Sequence, residues 1–84
     1  SLSEWFKSRI NPTTIIVYQL ARSGKVTVKV YNVLGREVQI LVDESQQAGR
    51  YSVTFDASRL SSGVYFVRMN TNGRAMTRKV MLVK

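Results

Sequence analysis

The chain has 84 residues, a length that fits one domain and is too short for two. It contains no cysteine and no histidine, so disulfides are excluded, and the commonest transition-metal ligands and the usual general base near neutral pH are missing. The formal net charge of +8 favours anionic partners without specifying one, and a solvated basic surface accounts for it equally well.

The beginning of the chain shows no strand pattern. Residues 1–10 do not alternate, and we predict a linker or N-terminal extension there, with at most one helical turn. Trp5 lies in this stretch, either as a lid packed on the edge of the domain or as an exposed aromatic that stacks on a ligand. The chain starts with Ser1, shows no signal peptide, and has no apolar run near the roughly 20 residues of a membrane-spanning helix. We therefore expect a piece of a longer protein, without a membrane span.

From residue 13 onwards, apolar and polar side chains alternate with period two, which predicts half-buried β-strands. The pattern is clearest where Val26, Val28 and Val30 alternate with polar residues. The predicted strands are residues 13–20, 25–31, 37–42, 50–55, 63–70 and 74–83. About seven short strands, with turn signals every ~8–12 residues, indicate an all-β antiparallel sandwich.

The segments between the strands carry turn signals. Gly35 follows the second predicted strand, and we expect it to take a backbone conformation that other residues disfavour. Asn72-Gly73 predicts a tight hairpin turn, because both residues readily adopt positive φ. Residues 43–49 are polar and rich in turn formers, and we predict a loop there. Leu60 is the large apolar residue between the fourth and fifth strands, and we expect it to close one end of the sandwich.

The alternation also assigns side chains to the core. Strand 63–70 is apolar on both faces at its start, so we predict a central position for it. Most aromatic residues fall on core faces, and only Trp5, Tyr31 and Phe66 are left available for a ligand. The predicted core faces carry Ile16, Tyr18, Leu20, Val26, Val28, Val30, Tyr51, Val53, Phe55, Tyr65, Val67, Met69, Met76, Val80 and Leu82.

No segment carries a recognisable catalytic or cofactor motif. Without His or Cys there is no Ser-His-Asp or Cys-His arrangement, and no glycine-rich segment ends as a phosphate loop does. Asp43, Glu44 and Asp56 fall in turns of a small domain, which leaves little room for a glycosidase cleft, and they lack the dense ligand ladder of a calcium site. We predict that the chain is not an enzyme and binds no metal, no cofactor and no nucleic acid.

Five segments share the pattern of one family. They are residues 11–14 (NPTT), 28–38 (VKVYNVLGREV), 49–56 (GRYSVTFD), 60–68 (LSSGVYFVR) and 78–84 (RKVMLVK). In order, spacing and terminal position, residues 11–84 resemble the C-terminal sorting domain of cargo of the type IX secretion system, which serves Bacteroidetes and related bacteria. Residues 1–10 depart from the pattern, because the family often has a Tyr-Pro-Asn-Pro-Phe segment where this chain has EWFKSRI.

The resemblance implies an immunoglobulin-like sandwich that acts as a non-catalytic sorting or attachment module. Such a module directs a secreted passenger, often a hydrolase or adhesin, across the periplasm and outer membrane to the cell surface or the extracellular space. The implied partners are the outer-membrane secretion machinery, which typically clips the domain off, and a sortase-like protease at the surface that joins the cargo to an anionic lipopolysaccharide. The family residues linked to partner recognition map onto Gly63, Tyr65, Lys79, Val80, Leu82 and Lys84.

Two of these residues also have a purely structural interpretation. Gly63 permits a tight turn, and Tyr65 fills the core. The last strand differs, because we predict that it lies at a sheet edge and offers unpaired backbone groups and positive charge to an acidic receptor. The alternative functions are a carbohydrate-binding or spacer module on a secreted polysaccharide-degrading enzyme, the former with an exposed aromatic platform such as Trp5.

Overall fold

The computed structural model of the protein describes residues 9–10 and 13–83. The predictions made for Trp5 and for Lys84 lie outside these residues. The described residues form seven strands: β1 (Arg9–Ile10), β2 (Thr13–Leu20), β3 (Gly24–Asn32), β4 (Glu37–Gln46), β5 (Gly49–Asp56), β6 (Gly63–Thr71) and β7 (Arg74–Leu82). No helix long and apolar enough to span a membrane occurs in this part of the chain.

The strands form two sheets. Five strands pair in the order β1-β7-β6-β3-β4, and β2 pairs with β5 in a second, two-stranded sheet. All pairings are antiparallel except the short parallel contact between β1 and β7. With β2 to β7 taken as strands B, C, C′, E, F and G, this is the strand arrangement of an immunoglobulin domain. The predicted immunoglobulin-like sandwich is confirmed, with six strands of eight to ten residues and a two-residue β1.

The core lies between the two sheets and consists mostly of the side chains that alternation assigned to it. Val42 and Ala57 are buried in addition, whereas the prediction of a core position for Met76 is wrong, because Met76 is 39% exposed. Val26, Val28 and Val30 of β3 are completely buried, and they face Ile16 and Phe55 from the opposite sheet. β6 lies between β3 and β7, which confirms its predicted central position. The buried cluster also contains Tyr18, Leu20, Val42, Ala57, Tyr65, Val67, Met69, Val80 and Leu82, and Leu60 packs against it as predicted.

The predicted loop at residues 43–49 is wrong, because β4 continues through Gln46. Its polar residues fit a strand here because they extend an edge strand whose outer side is solvated. Asp43 pairs with Lys25 across the ladder, with 3.0 Å between Oδ1 and Nζ. The Tyr18 hydroxyl donates a 2.7 Å hydrogen bond to Oε1 of Gln46, which joins this end of β4 to the opposite sheet.

Two predicted turns are confirmed. Asn72 and Gly73 have φ of 48° and 80°, so the connection between β6 and β7 is a two-residue hairpin with positive φ at both positions. Gly35 has φ of 81° in the turn between β3 and β4. The side-chain oxygen of Asn32 accepts hydrogen bonds from the backbone N–H of Leu34 and of Arg36 and thereby fixes that turn.

Candidate functional site

The terminal strand β7 lies at one side of the five-stranded sheet. Among the described residues, its outer edge has no pairing strand from Arg74 to Val80. β1 pairs with Met81 and Leu82, so the prediction of a free edge is wrong at these two positions. Because β1 covers only these two positions, the rest of the β7 edge remains available for the predicted addition of a partner strand.

Successive side chains of β7 point alternately into the core and out to solvent. Val80 and Leu82 point into the core and are 1% exposed, so a partner of the folded domain has no access to their side chains. Lys79, between them in the pleat, is exposed on the opposite side of the sheet. Of the residues predicted for partner recognition, Lys79 is thus the one that the described structure places on the surface with a charged group.

Tyr65 has a clear structural function. It is buried near the start of β6, and its hydroxyl donates a 2.7 Å hydrogen bond to the backbone carbonyl of Ser61. This is the geometry of the tyrosine corner that marks strand F of immunoglobulin-like domains. Gly63, two residues earlier, has φ of 155°, a conformation that L side chains rarely adopt, while the space around its Cα is open. Their backbone and packing roles account for both residues, and their part in partner recognition stays a prediction.

Charge is distributed unevenly across the five-stranded sheet. No Asp or Glu occurs from residue 57 to the end of the chain, a stretch that includes β6 and β7. The acidic residues of β4 neutralise the lysines of β3: Lys25 pairs with Asp43, and Lys29 lies 3.4 Å from Glu37. The described structure contains no such pair for the cations of β6 and β7, which are Arg68, Arg74, Arg78 and Lys79.

The solvent-facing side of the five-stranded sheet, which we call the outward face, brings aromatic and basic side chains together. Two rows cross its centre, one with Lys29, Arg68 and Thr77 and the other with Tyr31, Phe66 and Lys79. Tyr31 and Phe66 are half-buried, in agreement with the prediction that they are available rather than in the core. Together with Asn32, Val33, Gly35, Arg68 and Thr77 they line a shallow cavity of about 300 Å³.

The acidic residues considered for calcium or catalysis do not converge. Asp43 is paired with Lys25, and Glu44 accepts a 3.0 Å hydrogen bond from Nε2 of Gln46. The carboxylate of Asp56 accepts a 3.0 Å hydrogen bond from the backbone N–H of Ser58, and hydrogen bonding from Ser58 lowers the pKa of Asp56. The part of the chain that the structure describes contains no group of three or more His, Cys, Asp and Glu residues placed to hold a metal ion.

A family of known sequences carries the same pattern. The family described as the secretion system C-terminal sorting domain matches the chain over residues 11–84. The chain belongs to this family. The resemblance to type IX sorting domains of Bacteroidetes is thereby confirmed, and membership implies contact with the secretion machinery and export to the cell surface or extracellular space. A sorting domain of this kind is typically non-catalytic.

The other comparisons concern individual proteins. No curated protein matches the chain. Among solved structures, it is similar to the chain described as "Crystal structure of Ig1 domain of mouse SynCAM 2", with 13% sequence identity and a TM-score of 0.46. The match covers 92% of this chain and 88% of the mouse domain.

Proposed function

We propose that the chain is the export address of a secreted passenger protein and that the outer-membrane secretion machinery recognises it in the folded state. The family match over residues 11–84 is the observation that carries this proposal. The passenger and this domain would pass through the periplasm and then cross the outer membrane. The domain is then clipped off, and a sortase-like protease joins the cargo to an anionic lipopolysaccharide.

We further propose that the machinery reads the open edge of β7 by adding a strand to it. The β6–β7 ladder starts at a two-residue turn, so Thr71 and Arg74 exchange hydrogen bonds and the pairs then alternate. In this alternation, the backbone N–H groups of Ala75, Thr77 and Lys79 point away from β6. They lie in the open part of the edge, and main-chain hydrogen bonds to a partner strand supply affinity in this binding mode.

Truncation of the last residues is a poor test of this proposal. Deleting residues 79–84 removes Val80 and Leu82, which are both buried in the core. The loss of these two side chains costs about 2–5 kcal/mol each, which is enough to unfold a marginally stable domain. Export would then fail because the domain is unfolded, whether or not the edge of β7 is recognised. A test has to remove the edge and leave the core unchanged.

Thr77→Pro meets that requirement. Proline removes an N–H that points away from β6, and edge strands tolerate proline where the missing donor faces solvent. In a type IX-competent bacterium, we expect this variant to lower export of a fused reporter by about tenfold, which corresponds to the loss of roughly one interfacial hydrogen bond. Thr77→Ala is the matched control, because it removes the same side chain and keeps the donor.

The outcomes separate the function from its mechanism. A reporter that is exported equally well with and without the domain would show that the chain is a spacer rather than an export address. If the domain is required, and Thr77→Pro stays folded by circular dichroism and is exported like Thr77→Ala, then strand addition at β7 is wrong and the address is read elsewhere.

A further inference from the structure

We infer that the outward face of the five-stranded sheet docks a protein component of the export machinery whose surface has an apolar centre and acidic side chains around it. The inference rests on the proposed function and adds a second contact surface to it. The edge of β7 supplies backbone hydrogen bonds, whereas the outward face supplies side chains, and the two surfaces meet at Lys79.

The first argument is the position of exposed apolar side chains. Seven large apolar side chains are exposed in the described part of the chain, and four of them lie on this face or at its rim. Ile40 of β4 is 50% exposed and Met81 of β7 is 44% exposed, both pointing outward. Val33 and Leu34 are even more exposed, in the turn between β3 and β4. Apolar side chains concentrated on one face mark a protein interaction site.

The second argument is uncompensated charge beside that apolar surface. The cations of β3 have acidic neighbours on β4, so this half of the face is close to neutral. Arg68 and Lys79 have no acidic side chain within ion-pair distance among the described residues. A partner that covers Tyr31 and Phe66 therefore has to bring anionic groups to Arg68 and Lys79, or leave two cations desolvated without a partner.

The size of the face agrees with a protein partner. The four long strands, about 4.8 Å apart and about eight residues long at ~3.3 Å each, give a surface of roughly 500 Å². With the turn at Val33 and Leu34 this approaches the ~800 Å² that one side of a standard protein interface buries. A glycan would use the aromatic pair and Arg68, but it leaves the aliphatic side chains at Ile40, Met81 and the turn without a function.

Arg68→Glu tests the inference, with the reporter fusion as the assay. Arg68 is exposed, so its replacement leaves the core intact, and it reverses the charge that the partner has to match. We expect export to fall by about tenfold, because a like charge in the interface opposes docking. Arg68→Lys keeps the charge and should be exported nearly normally. Arg22→Glu, in the turn between β2 and β3, makes the same change of net charge away from the face and should also be exported.

Each result is decisive. Export of Arg68→Glu at the wild-type level, while the wild-type domain is required for export, overturns the inference and leaves the proposed function standing. Equal loss with Arg22→Glu overturns it as well, because net charge and not this face would then matter. The remaining readout is binding of the purified domain to polygalacturonate at physiological salt. If Arg68→Glu abolishes that binding while export is normal, the face binds an acidic glycan and not a protein.

Discussion

Tyr65→Phe separates the structural interpretation of Tyr65 from the interpretation as a partner contact. The substitution keeps the ring in the core and removes one hydroxyl group, which donates a 2.7 Å hydrogen bond to the carbonyl of Ser61. A hydrogen bond of this kind contributes about 0.5–1.5 kcal/mol net. Ser61 is exposed, so water can replace the lost donor, and we expect a cost of about 1 kcal/mol. For a domain of this size that lowers Tm by roughly 4–8 °C.

The assay is thermal and urea unfolding of the purified domain, in parallel with reporter export. Tyr31→Phe is the matched control, because it removes the same hydroxyl group from a half-buried tyrosine on the outward face. Within the described structure, the Tyr31 hydroxyl makes no hydrogen bond, so the free energy of unfolding should change by less than about 0.5 kcal/mol. We expect Tyr65→Phe to be exported normally at a temperature at which it is folded. A variant as stable as the wild type whose export is nevertheless lost would refute the structural account and make the hydroxyl a recognition group.

The remaining predictions concern the core and its pH dependence. In chemical denaturation, Val28→Ala should lower the free energy of unfolding by about 2–3 kcal/mol because this side chain is completely buried, and Val53→Ala by about 1 kcal/mol because it is half-buried. Lys29→Ala should lower it by less than either. Equal effects of the three variants would contradict the assignment of faces. Burial raises the pKa of Tyr18 above its ordinary value of 10.0, so the unfolded chain loses this proton first and stability falls as pH rises through that region. The stability advantage of the wild type over Tyr18→Phe in urea should therefore shrink between about pH 9 and about pH 11, and a constant difference would show that Tyr18 titrates alike in both states.

Alternation of apolar and polar residues was sufficient to predict the sandwich and most of its core. Each buried valine of β3 is flanked by polar neighbours, which allows one assignment of faces only, because a shift by one residue would expose the whole set. The hairpin at Asn72 and Gly73 was equally predictable, since its backbone conformation depends on local sterics. Both features depend on residues that are close together in the sequence, and this is why they can be predicted without knowledge of the tertiary structure.

The features that were missed depend on long-range pairing. Residues 43–46 are polar and resemble a loop, but the ladder with β3 continues through them, ending with Gly24 opposite Gln46. Met76 has the same orientation as the buried Val80 and is nevertheless 39% exposed, because the opposite sheet has only two strands and does not extend over this part of β7. The parallel contact of β1 with Met81 and Leu82 involves two residues, too few for any periodic signal.

The pleat of β7 shows why positions in a sorting signal are not all contacts. Val80 and Leu82 point inward and stabilise the domain, whereas Lys79 and Met81 point outward to where a partner can reach them. We expect changes at either pair to reduce export, but for different reasons: changes at the first pair lower the free energy of unfolding, and changes at the second pair act at constant stability. Recognition is therefore assignable to a residue of this strand only when export falls while the unfolding midpoint stays unchanged, a condition that Lys79 can satisfy and Val80 cannot.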